Sequence, residues 1–425
     1  MHCSSIITNA DDMHTPPPAS EESGKPPLPP GRERVGVRVA KFSIRTYLRH
    51  SIIQYSIIAL LLLPAILLSA CKPEHPTTTP LLRVDQVLGA KPDPGFARAL
   101  APREFKFPQD YGAHPDYATE WWYLTGNLQD ASGRRFGYQF TLFRVGLRPG
   151  AAAKDSAWRA NQIYMGDLAI TDIAAAKHYS AERFARAAAG LAGAKAAPFD
   201  VWLGPWSLRG GAQLFPLTVS AQNQDIAVSL QIQSGDKPMV LQGERGLSRK
   251  SATPGNASYY YSFTRLPTRG ELRIGASVYT VQGDSWMDRE WSSSALAKDQ
   301  AGWDWFALQL DDGRDLMYYR LRDKLGGVDA FSRGTLVDKD GSVHTLLPDQ
   351  VKLTPLRYWQ SADGARYPVG WRLQVAEYGL DLEVQAAVDD QLMDHSVRYW
   401  EGAVEVSGSQ RGRGYLELSG YDGKL

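Results

Sequence analysis

Cysteine is almost missing from this chain: 425 residues carry two, Cys3 and Cys71. Two thiols so far apart support neither a disulfide framework nor a cysteine-based metal site. An excess of charge of either sign is missing too. The net charge is +1, which leaves no basic stripe for nucleic acid and no acidic tail. There is no glycine-rich strand–loop–helix motif to cradle phosphates or a dinucleotide, and no G-x-S-x-G nucleophile elbow. Ser285, Ser292, Ser293 and Ser294 have no histidine near them in sequence, so a serine hydrolase would need the fold to recruit His344 or His395. His114-Pro115-Asp116 with Glu120 has a spacing that matches no strong metal motif, and no metal or organic cofactor is expected. Long helical periodicity is scarce. The best helix candidate is Ser180 to Leu191, with Ser180 as N-cap and Phe184, Ala188 and Leu191 on one face.

Aromatic side chains are abundant, with 12 Trp and 20 Tyr. Together with 39 Gly and 26 Pro, they favour short strands between tight turns. From Phe105 onward, apolar-alternating runs recur between Gly, Asp and Pro, the pattern of an all-β protein. An internal repeat sharpens this. Trp121, Tyr123 and Leu128 correspond to Trp303, Trp305 and Leu310, and Phe136 and Tyr138 correspond to Leu316 and Tyr318 across a shorter turn. Each copy reads as a β-hairpin, so two related β-domains stand in tandem. The polar stretch Leu247 to Asn256 places their boundary near residue 255.

The N-terminal residues read as an address. Basic residues from Arg45 to His50 precede an apolar run, Ile52 to Leu68, and then Leu68-Ser69-Ala70-Cys71. This order resembles a bacterial lipoprotein signal with its lipobox, cleaved to leave Cys71 as the lipid-bearing first residue. An uncleaved membrane anchor is the alternative, although the run is short for a span and contains Pro64. Residues 1–40 then read as a disordered tail or the product of a mis-assigned start, 41–70 as the signal peptide, and 71–101 as a proline-rich tether. The expected location is the bacterial cell envelope, lipid-anchored and facing the periplasm. Lys72 after the cysteine leans toward the outer membrane.

The most unusual stretch is Gly283 to Leu310. It sets Trp286, Trp291, Trp303 and Trp305 among Asp284, Asp288 and Glu290. Carboxyls held against aromatic faces can have raised pKa values and give up protons, and aromatic faces can stabilise a cation. The competing reading is that the acids cap turns and pair with Arg289 while the indoles fill a core. Arg289 next to Asp288 is expected to keep that carboxyl ionised. Glu120 beside Trp121 is a candidate cleft carboxylate. Glu401 and Glu417, on strands near the C-terminus, either reach a barrel mouth or sit solvated at an edge. A cleft so rich in Trp and Tyr suits a greasy, extended ligand.

Taken together, GAHPDYATEWWYLTGNL, YYYSFTRLP, VQGDSWMDREWS, GWDWFALQLDDG, RYWEGAVEVSG and GRGYLELSGY resemble the AttH/carotenoid 1,2-hydratase family in order and content, from about Phe105 to Tyr421. The resemblance implies two lipocalin-like (calycin) β-barrel or sandwich domains, here assigned to residues 102–255 and 256–425. It also implies a secreted or lipid-anchored bacterial protein, often encoded beside an ABC transporter, and for the hydratase branch the addition of water to a terminal isoprenoid double bond. The family aspartate proposed as the catalytic acid falls on Asp288. Such a reaction needs an acid, a dry apolar pocket and electron-rich faces, and no cofactor. On this expectation Asp288 protonates the alkene and Glu120 or Glu290 orients the water. Trp286, Trp291 and Trp303 flank the cation, and Trp121, Trp122, Tyr123, Trp305 and Trp400 complete the ligand wall. The alternative is a non-catalytic lipid- or isoprenoid-binding lipoprotein serving the transporter. The expected partners are a hydrophobic small molecule, the membrane through Cys71 and, as a further candidate, an ABC transporter permease, with no nucleic acid.

Overall fold

The computed structural model describes residues 94–150, 159–294 and 296–421, together with the short strand Leu82–Arg83. The signal segment, Cys71 and most of the tether lie outside the described residues. Thr78–Leu425 forms one compact unit. Its strands in chain order begin with β1 (Leu82–Arg83), β2 (Thr119–Asp130), β3 (Arg135–Gly146), β4 (Gln162–Asp172), β5 (Lys177–Arg186), β6 (Ala192–Ala196), β7 (Phe199–Leu203) and β8 (Trp206–Gly211). There follow β9 (Leu214–Gln222), β10 (Ile226–Ile232), β11 (Val240–Leu241), β12 (Leu247–Arg249), β13 (Ala257–Ile274), β14 (Ser277–Ser292), β15 (Gln300–Leu310) and β16 (Asp315–Asp323). The last are β17 (Arg333–Val337), β18 (Val343–Leu346), β19 (Lys352–Gln360), β20 (Arg366–Val375), β21 (Leu380–Ala386), β22 (Leu392–Asp394), β23 (Val397–Gly408) and β24 (Gly412–Leu418).

The strands make two sheets wound in the same way, the first with two more strands than the second. In the first the order is β5-β4-β3-β2-β14-β13-β10-β9-β8-β7-β6, and in the second β18-β17-β16-β15-β24-β23-β21-β20-β19. Each is an up-and-down meander whose last strand returns to pair with its first, β14 on β2 and β24 on β15. That closing pair curls the sheet toward a barrel and removes two exposed edges. The seam stays unpaired between β5 and β6, and between β18 and β19. The hairpins expected from the repeat are β2–β3 and β15–β16, and they occupy equivalent places in the two sheets.

Two expectations are corrected. The boundary near residue 255 falls inside the first sheet, because β13 and β14 are the strands that close it; the chain passes to the second sheet after Ser292. The Ser180–Leu191 helix does not form. Its first half belongs to β5, paired in register with β4 from Ile163↔Arg186 to Asp172↔Lys177. Phe184 on the supposed apolar face is 49 % exposed, so the pairing edge of β4 outweighs local helix preference.

Alternation of side chains gives each sheet its own apolar core. Trp122, Leu124, Leu142 and Met287 belong to the first, and Phe306, Leu308, Trp371 and Trp400 to the second. Strands near the closing pairs are buried on both faces, since their outer faces meet the other sheet. β2 is buried along nearly its whole length, whereas β9 alternates buried and exposed residues as a half-solvated strand does. Between the sheets lies a third cluster containing Tyr123, Tyr260, Trp286, Trp305, Tyr319 and Tyr415. Close approach is built in at Gly137 on β3, where a Cβ would stand 2.7 Å from both the Ala403 Cβ and the Tyr415 hydroxyl. Gly137→Val should therefore push the two sheets apart and cost about 1–3 kcal/mol in chemical denaturation; an unchanged midpoint would show that this contact does not hold the halves together.

Candidate functional site

The space between the sheets opens at one end of the closing pairs into a cavity of about 130 Å³. The first sheet contributes Trp121, Tyr123, Tyr260, Asp288 and Glu290, and the second Trp303, Trp305, Tyr319, Tyr399, Glu401 and Glu417. Trp121, Phe143, Leu296 and Trp303 are partly exposed, while Tyr123, Asp288, Trp305 and Glu401 are buried. The site thus has an apolar rim over an acidic, hydroxyl-rich floor.

Strand register explains the floor. Asp167, Thr141, Tyr123, Asp288 and Ser262 are aligned across β4, β3, β2, β14 and β13, and side chains in such a row share one face. In the second sheet Tyr319, Trp305, Glu417 and Glu401 form the equivalent row. Asp288 lies opposite Tyr123 as Glu417 lies opposite Trp305. The two acids therefore occupy matching positions of the duplicated unit.

Asp288 is held from three sides. Tyr260 donates to one oxygen at 2.5 Å; Ser262 and the Trp286 indole donate to the other at 2.6 and 2.7 Å. Burial raises its pKa to about 7, although the three donors pull it down. The expected pairing with Arg289 is absent. Neighbours along a strand point to opposite faces, and Arg289 enters the first sheet's interior, where it donates to Glu120 at 2.7 Å and to the Trp121 carbonyl at 3.1 Å.

Glu120 is consequently no proton donor. It is fully buried between Arg144 and Arg289 and accepts from His114 through the backbone at 2.9 Å and through Nδ1 at 3.0 Å. Burial alone would raise its carboxyl, but Arg144 and Arg289 hold it well below the usual range. Glu120 still borders the cavity, whereas three aromatic candidates leave it. Trp122 sits in the first core with the Arg289 guanidinium 3.9 Å from its ring. Trp291 stacks on His114 at 3.8 Å, and Trp400 belongs to the second core. Trp286 stays as the donor that orients Asp288. Trp121, Tyr123, Trp303 and Trp305 line the cavity, as does Glu290, whose partner is Lys250 at 3.3 Å.

Several groups carry more of the site than their sequence positions suggest. Glu401 accepts a short hydrogen bond from the Tyr123 hydroxyl, and Glu417 accepts from the Trp303 indole at 2.9 Å. Burial lifts Glu417 to about 7, and burial with the Glu417 charge lifts Glu401 well above the carboxylate range. Asp167, bonded by Tyr399 at 2.8 Å, is likewise raised to about 7 by burial. Lys250 lies 4.2 Å from the Tyr319 ring. Of these, Glu401 and Glu417 alone carry a sequence signal, their place on strands near the C-terminus that can reach a barrel mouth. Among the described residues no group of three His, Cys, Asp or Glu side chains could hold a metal ion. Ser285 bonds Tyr138 and Thr268, and Ser292 bonds Ser294, and among the described residues neither serine hydrogen-bonds a histidine.

These opposite electrostatic treatments give opposite expectations. Glu120→Gln strands two buried guanidinium groups and should destabilise the protein by about 3–5 kcal/mol at pH 7 in urea denaturation; a loss under about 1 kcal/mol would refute this structural role. For Asp288 the folded pKa lies above the unfolded one, so its contribution favours folding at low pH. That contribution is lost as pH rises from 3.8 toward about 7. Asp288→Asn should flatten this part of the stability profile, gaining up to about 4 kcal/mol on the wild type between pH 4 and 8. Parallel profiles would contradict the buried, uncompensated carboxyl.

Residues 98–421 match the family described as AttH-like. A Nitrosomonas europaea protein provisionally assigned as an AttH has a crystal structure that matches with a TM-score of 0.68 at 33 % identity, over 77 % of this chain and all of that one. Kievitone hydratase from Nectria haematococca superposes with a TM-score of 0.58, covering 78 % of this chain and 99 % of its own. At 14 % identity that likeness is one of fold. No curated protein matches. By its sequence over three quarters of its length and by its paired lipocalin-like sheets, this chain belongs to the AttH-like family.

Proposed function

We propose that the cavity between the two sheets binds the end of an apolar, isoprenoid-like ligand and adds water to its terminal C=C bond, with Asp288 as the acid. The observation that carries this reading is the Asp288 carboxyl. It is buried on the wall of an aromatic cavity, turned away from Arg289, and raised to about 7 by burial. A carboxyl so placed still holds its proton near neutral pH and can give it up.

The chemistry uses this chain's own groups. The π electrons of the alkene take the Asp288 proton, forming a C–H bond and leaving a cation on the more substituted carbon. The ring faces of Trp303, Trp305 and Tyr123 lower the energy of that cation. A water molecule adds its oxygen to the cation and loses a proton to a carboxylate of the cavity, and the alcohol leaves. Tyr260, Ser262 and Trp286 fix the direction of the acid, a preorganisation that costs nothing at the moment of transfer. The apolar rim keeps bulk water from quenching the cation. The volume of about 130 Å³ suits a chain end, with the rest of a long ligand lying across the rim.

The lipobox-like sequence supports anchoring in the bacterial envelope through Cys71, facing the periplasm, where apolar ligands partition into the adjacent bilayer. A second reading is a non-catalytic lipid carrier serving an ABC transporter. It is favoured by the small cavity and by the complete set of partners already satisfying Asp288. Incubation with lycopene in detergent and H₂¹⁸O separates the two. The hydratase reading expects an ¹⁸O-labelled alcohol, a rate that falls as pH rises beyond about 7, and a loss of about 1,000-fold in Asp288→Asn. Full turnover by that variant removes Asp288 from the chemistry, whereas lycopene bound and recovered unchanged supports the carrier.

A further inference from the structure

We propose that Glu417, sharing one proton with Glu401, is the base that takes the proton from the attacking water. This rests on the hydration reading above and adds to it the second half of the acid–base pair.

The argument is geometric. Glu401 and Glu417 are directly opposed on adjacent strands β23 and β24, so both side chains leave the same face of the second sheet into the cavity. Among the described residues neither forms an ion pair. The cavity's lysine, Lys250, is taken by Glu290, and Arg144 by Glu120. The donors to the pair are neutral, the Tyr123 hydroxyl on Glu401 and the Trp303 indole on Glu417, and the other titratable groups facing it are acids, Asp167 toward Glu401 and Asp288 and Glu290 toward Glu417. Two adjacent carboxyls with no cation between them cannot both ionise, so they hold one proton in common. Glu401, the more deeply buried of the two and flanked by Asp167 as well as Glu417, keeps it although the Tyr123 donor pulls the other way; Glu417 is left as the carboxylate.

The duplication then supplies the placement. Glu417 stands at the second-sheet position equivalent to that of Asp288, and Glu401 at that equivalent to Ser262. The acid thus sits on the wall formed by the first sheet and the base on the wall formed by the second, with the ligand between. Addition across a double bond needs this division of labour: one group delivers a proton to one carbon, and another draws a proton from water arriving at the other. The water O–H bond breaks toward Glu417, its oxygen pair forms the C–O bond, and the proton passes within the carboxyl cluster to restore Asp288. Asp167, through Tyr399, extends that cluster and borders Glu401.

Two measurements test this, and they fail separately. Infrared difference spectra across pH 5–9 should show a protonated-carboxyl band that persists above pH 7 in the wild type and, since Asp288 and Asp167 also titrate near 7, is assigned to the pair by its change in Glu401→Gln. In Glu401→Gln its alkaline midpoint should move down by at least about one pH unit, because the remaining carboxyl no longer has a like-charged neighbour. A wild-type protein with both glutamates ionised at pH 7 overturns the shared proton. With lycopene as substrate, Glu417→Gln should lower kcat by about 100-fold with KM within about threefold, and Glu417→Asp should recover part of the loss. If Glu417→Gln does not fold, the kcat of Glu417→Asp decides, and a wild-type value there overturns the role. Full activity of Glu417→Gln beside a dead Asp288→Asn refutes this proposal alone. Absence of turnover in the wild type refutes hydration and the base role together, with the infrared result standing on its own.

Discussion

The return of the last strand of each meander to its first is the constraint on which the rest depends. Pairing β14 with β2, and β24 with β15, closes each sheet and also makes these strands central. A central strand of a curled sheet has an inner face committed to its own core. Here the outer face is covered as well, because the two sheets meet along these same strands. Where the two sheets meet, groups on that outer face are withdrawn from water whatever their polarity, although the ends of the strands, at Gln282 and Asp284 and at Trp121 and Trp303, keep contact with it. Polar groups placed there must either find partners or change their ionisation.

The two faces of β14 show both outcomes within two residues. Arg289 turns inward and meets Glu120, with Arg144 on the other side, in a cluster where one carboxylate faces two guanidinium groups and backbone carbonyls accept further guanidinium N–H groups. Asp288 turns outward to hydroxyl and indole donors without a cation. The first arrangement makes a carboxylate permanent and inert. The second makes a carboxyl that exchanges its proton near neutrality. Residue types next to one another in sequence thus carry opposite chemistry because a strand alternates.

That alternation also explains what was legible beforehand. The tandem β architecture followed from the Trp121/Trp303 hairpin repeat and the spacing of turns, and Asp288 stood out among its indoles. The first sheet's extent was misjudged because its closing strands, β13 and β14, follow a polar stretch that looks like a linker. Long-range pairing, not local composition, assigns them. Arg289 is adjacent to Asp288 in sequence but not in space, so a pairing expected from the sequence does not form. Trp122, Trp291 and Trp400 were grouped with the cavity on residue type, though Trp122 and Trp400 each fall one step out of phase with a residue that lines it, Tyr123 and Glu401. The weight of Glu401 and Glu417 could have been found by extending the repeat from its hairpins to its closing strands, where Glu417 falls on the position of Asp288.

The meeting of the two sheets has a further consequence. Each half presents the same strands, in the same order and by the same face, so the contact has the form of an isologous one. A single-sheet ancestor pairing with a copy of itself would have placed one acid on each side of a shared cleft, both necessarily identical. Joining the copies in one chain frees the two positions to change independently. One can then become an aspartate under hydroxyl and indole donors, and the other a glutamate beside a second glutamate. Covalent linkage here does more than fix a dimer: it allows a symmetric cleft to become a polar one, with a direction from donor to acceptor that no true twofold axis permits.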